Sequence, residues 1–481
     1  MWGNKGESLA RQRVQSGATK SPLLIGRAVD QELDPSPGSC CGDYKNRPQE
    51  VKLTKVNRRE HSMLVVGSGL LLAAVVAAGC GSSGGSSNSA SATTAGGTSG
   101  TSGTSGGTSS SGTITVMALG VYSSPVFSVP QAADAVELAA AQINKAGGIN
   151  GKQLKVITCN EQNNPSIAAQ CAQKAVSDHV AALVGRTTLN GDAVVPILQK
   201  AQIPDIGPID FSPADASGDN TVSFVISTVG TPGTVSATLA LAKSGCKSIA
   251  AVYSSPGGSP EIPAFQSTVK ALGLKDAGSF GVSQESTNWA PAFQSAVQGG
   301  GKSVCSVIIA SAAQEVGVFQ GISQSTAPHM QVATYSNALP LSVAPTLGGK
   351  ATGAITTSGF AFPDTAAAAS FVAAFTKAYP KASLDEQSLN AYIATNIFAS
   401  VAKTLKTVNS SNVLAALRKD TDVTSPLLPA TLDFTKINSA SAFARLFNPN
   451  MNAVQITSSG SKPLFGGQNI SIESYLQKLP S

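Results

Sequence analysis

The chain has 481 residues, 33 of them Lys or Arg and 27 Asp or Glu, with 47 glycines and only 12% charged positions. That length suits two ordinary domains or one large bilobed body with a sizeable core, and the composition excludes a fibre or a wholly disordered chain. The formal charge of +6 is unevenly placed, since residues 1–79 hold 11 of the basic and 7 of the acidic side chains; 22 against 20 remain from Cys80 onward, too few to form a basic stripe for nucleic-acid phosphates.

Residues 1–50, with Pro35, Pro37, Cys40 and Cys41, fit neither a signal nor a domain. A signal starts within a few residues of its basic section, so translation is expected to begin near Val51 or later. Lys52, Lys55, Arg58 and Arg59 lead into an apolar run from Met63 to Ala78, shorter than the roughly 20 residues of a membrane span. Basic, apolar and small-residue sections in that order mark residues 1–79 as a signal-peptide region. The segment Ala77-Ala78-Gly79-Cys80 resembles the lipobox of bacterial lipoproteins, although Ala77 stands where a leucine is usual. The resemblance implies cleavage before Cys80 and lipidation of its thiol. At about 0.8 kcal/mol per buried methylene, two acyl chains would hold the protein at the outer face of the cytoplasmic membrane. Residues 80–112, rich in Gly, Ser and Thr, then read as a lipid-anchored linker with a mean reach of about 30 Å.

Beyond Gly112 short β-rich runs alternate with longer amphipathic ones. TITVMALG reads as a strand and QAADAVELAAAQINKAGG as a helix ended by Gly147 and Gly148; KQLKVIT is a strand, and NNPSIAAQCAQKAVSDH a helix capped by Asn164 with Pro165 in its first turn. AALVG, DAVVPILQKAQ and IPDIGPI continue as strand, helix and strand. A second series starts near Thr231 and repeats the unit: TVSATLALAKSG, SIAAVYS, EIPAFQSTVKALG, AGSFGVS, APAFQSAVQ, CSVIIAS, VGVFQGISQ and QVATYS. A bridging run near Gly353, the helices FVAAFTKAYP and SLNAYIATNIFASVAKTLK, and the strands ATLDFTK and NAVQITS complete the chain. Such alternation builds parallel sheets covered by helices.

Several chemistries find no footing in these residues. GGGKS, Gly299 to Ser303, has the look of a phosphate loop, but it joins a helix to a strand, and Ala296 occupies the place of the first glycine; it is expected to be a turn. There is no GxSxG elbow, and His179, at a helix end, reads as a solvated or packed side chain. Without CxxC spacing, and with His61, His179 and His329 away from the cysteines, no metal site is expected. The even set Cys159, Cys171, Cys246 and Cys305 in an exported body reads as disulfides, with three connectivities possible.

The stretch from ALGVYSSPVFS through INKAGGINGKQL and NNPSIAAQCAQKAV, then VGRTTLNGDAVVPILQKAQIPDIGP and STNWAPAFQSAV, resembles in its order the branched-chain amino-acid-binding family of solute-binding proteins of ABC transporters. The likeness runs from about Thr113 to about Ser458. It implies an α/β type I periplasmic-binding-protein fold, two doubly wound parallel-sheet lobes joined by a hinge: 113–229 with 352–425 as lobe I, and 230–351 with 426–481 as lobe II. Pairing Cys159 with Cys171 and Cys246 with Cys305 then keeps each bridge inside one lobe; loop closure makes these worth roughly 3 and roughly 4 kcal/mol. The implied protein is a monomer without cofactor or catalytic residues that captures a small polar solute, an amino acid, amide or related compound, for an ABC permease. A ligand-sensing receptor module of the same fold is the alternative.

Carried over by position, the resemblance places Tyr122 or Phe127 as an aromatic covering the ligand, and Thr188 or Asn190 as the group that holds a ligand carboxylate. It places Asp210 and Phe211 at the mouth, where an acid would repel a carboxylate and welcome an ammonium or a hydroxyl. In the second lobe SSPGGSPEI lacks the family's aromatic, ASAAQE offers Gln314, and after QVATYS stand Tyr335, Ser336, Asn337 and Ala338, where amino-acid binders carry an acid. Either Asp210 or Glu315 therefore takes over that charge, or the solute is not an α-amino acid, because a buried ammonium without a counter-charge is costly.

Overall fold

The computed structural model describes residues 112–479 except 126, 127, 210 and 438–441. The signal region, the Cys80 anchor, Phe127 and Asp210 lie outside the described residues. Among those described, no helix is long and apolar enough to cross a membrane.

The first lobe winds as β1 (Thr113–Gly120), α1 (Pro130–Lys145), β2 (Gln153–Asn160), α2 (Pro165–Ser177), β3 (Ala182–Val184), α3 (Gly191–Ala201), β4 (Asp205–Ile206), α4 (Pro213–Ala216) and β5 (Ser223–Phe224). Its strands pair in the order β2-β1-β3-β4-β5, all parallel. Central strand β1 is buried over most of its length, as expected when helices cover both faces of a parallel sheet. Asn164 caps α2, its side chain accepting from the amides of Ser166 and Ile167 at 2.9 and 3.3 Å.

The second lobe follows with α5 (Thr231–Lys243), β6 (Ser248–Ser255), α6 (Ile262–Ala271), β7 (Lys275–Ser283), α7 (Ala290–Gly300), β8 (Cys305–Ile309), α8 (Glu315–Gln324), β9 (Val332–Tyr335) and β10 (Ile355–Ser358). The order β7-β6-β8-β9-β10 repeats that of the first sheet. The chain then returns to the first lobe for α9 (Ala369–Ala378), α10 (Glu386–Lys403) and α11 (Ser410–Leu417), before β11 (Asn450–Ile456), β12 (Ser461–Pro463), β13 (Ile470–Ser471) and α12 (Glu473–Leu476). Strand β11 adds antiparallel to β10 and carries β12 and β13.

Three crossings join the lobes, and one buried side chain ties them together. The Asn448 Nδ2 atom donates to the carbonyls of Ile226 at 3.1 Å and Gly359 at 2.7 Å, so the third crossing holds the first two. Gly359 leaves room for this knot: a Cβ there would lie 2.4 Å from Thr228 Oγ1. Beside it the Arg445 guanidinium lies 4.9 and 5.0 Å from the ring centroids of Phe224 and Phe447 and donates to the Ser223 carbonyl.

The expected lobe boundaries shift in two places. Residues 355–358, assigned from the sequence to lobe I, form β10 of the second sheet, where their register is set by β9 and β11. Residues 426–434, assigned to lobe II, instead send Leu427, Leu428, Leu432 and Phe434 into the first core, with Phe434 4.9 Å from Phe224. ATLDFTK is not a strand: Leu432 makes a single bridge with Val423, and the Asp433 side chain accepts from the amide of Thr435 at 3.0 Å, turning the chain. GGGKS joins α7 to β8, with Gly299 packed so closely on Ala277 that a Cβ would lie 2.0 Å from its carbonyl oxygen. Disulfides join Cys159 to Cys171 and Cys246 to Cys305, closing sequence separations of 12 and 59.

Candidate ligand-binding cleft

In each lobe the direction of winding reverses between two adjacent strands, β1 and β3 in the first, β6 and β8 in the second. Ligands of open parallel sheets collect beyond the carboxyl ends of such strands. The loops there fall into two chemical kinds.

In the first lobe most polar groups at the reversal bond one another, although Tyr122 Oη, Arg186 Nη1 and Asp205 Oδ1 are buried without a hydrogen-bond partner. Thr188 Oγ1 and Asn190 Nδ2 both donate to the buried Glu161 carboxylate at 2.8 Å, and the amide of Asn164 adds a third bond at 3.0 Å. Thr188 is fully buried, so its hydroxyl serves this carboxylate. Behind them Arg186 is buried between two acids, Nε bonding Asp205 at 2.7 Å and a terminal nitrogen bonding Asp215 at 2.5 Å. Burial opposes its charge, yet the two carboxylates raise the guanidinium pKa above its ordinary value. Tyr122 packs against the first-lobe core with its amide bonded to the Asn160 side chain at 3.0 Å, and burial raises its phenol pKa.

In the second lobe the reversal holds acids with few partners. Glu261, beyond β6, accepts from the Thr234 hydroxyl and from Tyr335 Oη at 3.3 Å; burial outweighs both bonds and pushes its carboxyl up to about 7. Gln314, beyond β8, ties its loop to the end of β6 and to the segment after β7 by donating to Ser254 Oγ at 3.0 Å and to the Gln284 carbonyl at 3.1 Å. Its carbonyl oxygen caps Ser311, so the expected ligand contact acts here as a brace. The next residue, Glu315, is fully buried, and neither carboxylate oxygen has a hydrogen-bond partner. Burial alone holds its pKa well above the usual carboxylate range.

The amino end of α10 reaches from the first lobe into this region. Gly185 permits the approach, since a Cβ there would lie 2.5 Å from Ala391 Cα. Glu386, the first residue of α10, accepts from Ser336 Oγ at 2.5 Å and from the amide and hydroxyl of Thr228 at 3.3 and 3.2 Å. Gln387 donates to Asn337, so that side chain, expected to face ligand, joins the lobes. Phe211 packs with Ile209, Val229, Tyr335 and Ala338 in a small apolar cluster between the lobes. Asp385 caps α10, accepts from Gln131 at 2.7 Å, and is pushed by burial up to about 6. Tyr335 sits where these groups meet: burial first, then the charges of Glu261, Glu386 and Glu315, hold its phenol well above the ordinary range.

Of the residues expected from the sequence, Asn337 and Phe211 stand between the lobes, whereas Thr188, Asn190, Gln314 and Tyr122 make contacts within their own lobe. Glu261 and Glu386 were not singled out. The rule of winding reversal, applied to SSPGGSPEI, points to Glu261; nothing local in the sequence marks Glu386 as more than a helix start. Among the described residues no group of three His, Cys, Asp or Glu is placed to hold a metal ion. A separate cavity of about 300 Å³ opens between α9, α10 and residues 420–427, lined by the first lobe alone.

The comparisons with known proteins agree with this architecture. A model of the periplasmic binding protein family matches residues 113–460. No curated protein sequence matches the chain. Among solved structures, a fatty acid ABC transporter substrate-binding protein from Thermomonospora curvata superposes with a TM-score of 0.61 at 16% identity, covering 77% of this chain and 95% of that one. A solute-binding protein from R. palustris in complex with 4-hydroxybenzoate gives 0.60 at 18% identity, covering 75% and 97%. A branched-chain amino acid transporter substrate-binding protein from Streptococcus pneumoniae, in complex with isoleucine, gives 0.56 at 17%, covering 75% and 99%. Two parallel sheets wound alike, three crossings and a family match over most of the chain lead to one conclusion: this chain belongs to the periplasmic binding protein family, with the type I fold.

Proposed function

We propose that this protein is an envelope lipoprotein, moored through Cys80, that closes its two lobes around a small polar solute and delivers it to an ABC permease. The observation that carries this reading is the meeting of buried polar groups from both lobes beyond the strand ends, where Glu386 on α10 bonds Ser336 of the second lobe and Thr228 of the first crossing. Closure there surrounds a solute with donors and acceptors while excluding water. Family membership supports an extracytoplasmic place and solute binding without chemistry on the solute. The similar structures include proteins in complex with isoleucine and with 4-hydroxybenzoate and a fatty acid ABC transporter substrate-binding protein, so the fold accommodates several solute classes and does not choose among them.

The test is a thermal-shift screen of the purified body against amino acids, amides, amines, sugars and small carboxylates, isoleucine and 4-hydroxybenzoate included. A solute at about a hundred times its Kd should add ~2.7 kcal/mol of stability. A panel of this breadth without any shift would remove the solute-capture reading. For the anchor, Cys80→Ser should move the protein from membranes to the soluble fraction; retention on membranes would exclude lipidation as its mooring.

A further inference from the structure

Resting on the reading of the cleft as one that closes, we infer that a latch behind the hinge, Asp364 on Ser461 and Asn469 on Pro429, holds the lobes apart and is broken when the cleft closes on a solute.

The latch joins the lobes at a seam. Residues 361–367 leave the second crossing as a strap tied to the first lobe: the amide of Ala361 donates to the Leu427 carbonyl at 2.8 Å, and Ala361 and Ala368 lie in the first core. Between these anchors the amide and hydroxyl of Thr365 both donate to the Phe362 carbonyl, at 3.0 and 2.6 Å, in a turn that presents Asp364 to the second lobe. There Asp364 Oδ2 accepts from the amide and hydroxyl of Ser461, the first residue of β12, at 2.8 and 2.7 Å. Asn469 Nδ2, just before β13, donates to the Pro429 carbonyl at 2.8 Å and so fastens the neighbouring first-lobe segment. Beside these bonds a cavity of about 220 Å³ separates the walls of the seam, with Phe362, Thr365 and Pro429 on one side and Asn452, Val454 and Pro463 on the other. Across this gap the walls do not pack, so parting them forfeits little dispersion energy and the hydrogen bonds carry the attachment.

The strand order gives the latch its sign. The second sheet runs β12-β11-β10-β9-β8-β6-β7, and the second and third crossings meet it at β10 and β11. Strand β12 therefore lies on one side of the crossings and the cleft loops after β6 and β8 on the other. A rotation about the crossings that brings those loops towards the first lobe swings β12 away from the strap. Bonds of 2.7 and 2.8 Å are already at contact distance, so the seam is shut in this structure and cleft closure can only open it. Asp364 and Asn469 are both exposed, so water replaces the lost partners and the penalty of breaking stays modest. That penalty lowers the fraction of molecules closed without solute, and the apparent solute affinity falls by the same fraction.

The experiment compares the purified protein with Asp364→Ala/Asn469→Ala, by small-angle scattering without solute and by calorimetry with isoleucine, 4-hydroxybenzoate and any solute the thermal-shift screen returns. The double variant should be more compact, with a radius of gyration about 1 Å below the wild type. It should bind such a solute about three- to tenfold more tightly. Asp364→Asn keeps an acceptor oxygen for Ser461 and should stay close to the wild type in both readings. A radius unchanged or larger in the double variant would overturn the inference, as would unchanged or weaker solute binding, because bonds with a merely structural role lower Tm and move neither. Compaction with no solute found anywhere in the screen would support the latch and remove solute capture. Solute bound without compaction of the double variant would remove the latch and leave solute capture standing.

Discussion

The two lobes are wound in the same strand order yet spend their charges differently. In the first, every acid near the winding reversal has a close partner: Glu161 holds Thr188 and Asn190, while Asp205 and Asp215 enclose Arg186. In the second, Glu261 has only hydroxyl partners and Glu315 has none. The difference teaches that a repeated fold need not repeat its chemistry: one half pairs its buried acids with donors and a cation, the other leaves Glu315 without a partner.

The comparison breaks most readily at Arg186. Arg186→Met leaves Asp205 and Asp215 buried without their cation and should cost about 3–5 kcal/mol in urea unfolding; a loss below about 1 kcal/mol would show that the first lobe is not electrostatically closed. Next come the bridges. Replacing Cys246 and Cys305 by alanine should cost roughly 4 kcal/mol, against roughly 3 for Cys159 and Cys171, because the loops span 59 and 12 residues. Equal losses in paired denaturation curves would argue against loop entropy as the cause.

Asn448→Ala removes the knot that joins all three crossings and should cost about 2 kcal/mol, two buried bonds at about 1 each. It should also widen the range of lobe separations seen by solution scattering; an unchanged radius of gyration and unchanged solute affinity would deny it a hinge role. At about pH 8 Glu315→Gln should be neutral or stabilising by about 1 kcal/mol in the ligand-free protein, opposite in sign to Arg186→Met.

Ligand-free stability should also depend on pH. Glu261, pushed up to about 7, and Asp385, pushed up to about 6, bind protons more tightly folded than unfolded. Their contribution is therefore present at low pH and is lost as pH rises from about 4 through about 7, lowering Tm by several degrees. A Tm that climbs over that window would contradict the burial of these acids.

Most of the fold was legible because its signals are local. Alternating β-rich and amphipathic runs, the Asn164 cap and paired glycines at helix ends set the elements of both series, and the repeat exposed two lobes. Strands β5 and β10 were not singled out, whereas β3, β4 and β9, equally short, were read from the apolar runs that contain them. ATLDFTK misled because alternation of Leu432 and Phe434 mimics a strand, while both side chains in fact reach the first core around a side-chain-stabilised turn. The site was legible only in part. The loops were found from their place after strands, but which side chains face the cleft was not.

By itself the sequence determined the order of elements, the doubled α/β unit and the absence of an acid after QVATYS, because propensity, capping and composition act between near neighbours. Tertiary structure alone decided which acids are satisfied. Thr228 and Glu386 are separated by 158 residues, and Ser336 and Glu386 by 50, so their pairing follows from how two lobes pack across three crossings. Whether a buried carboxylate is satisfied depends on the groups that packing places within bonding distance, and Glu161, held by Thr188 and Asn190, and Glu315, with no partner, fall on opposite sides of that line.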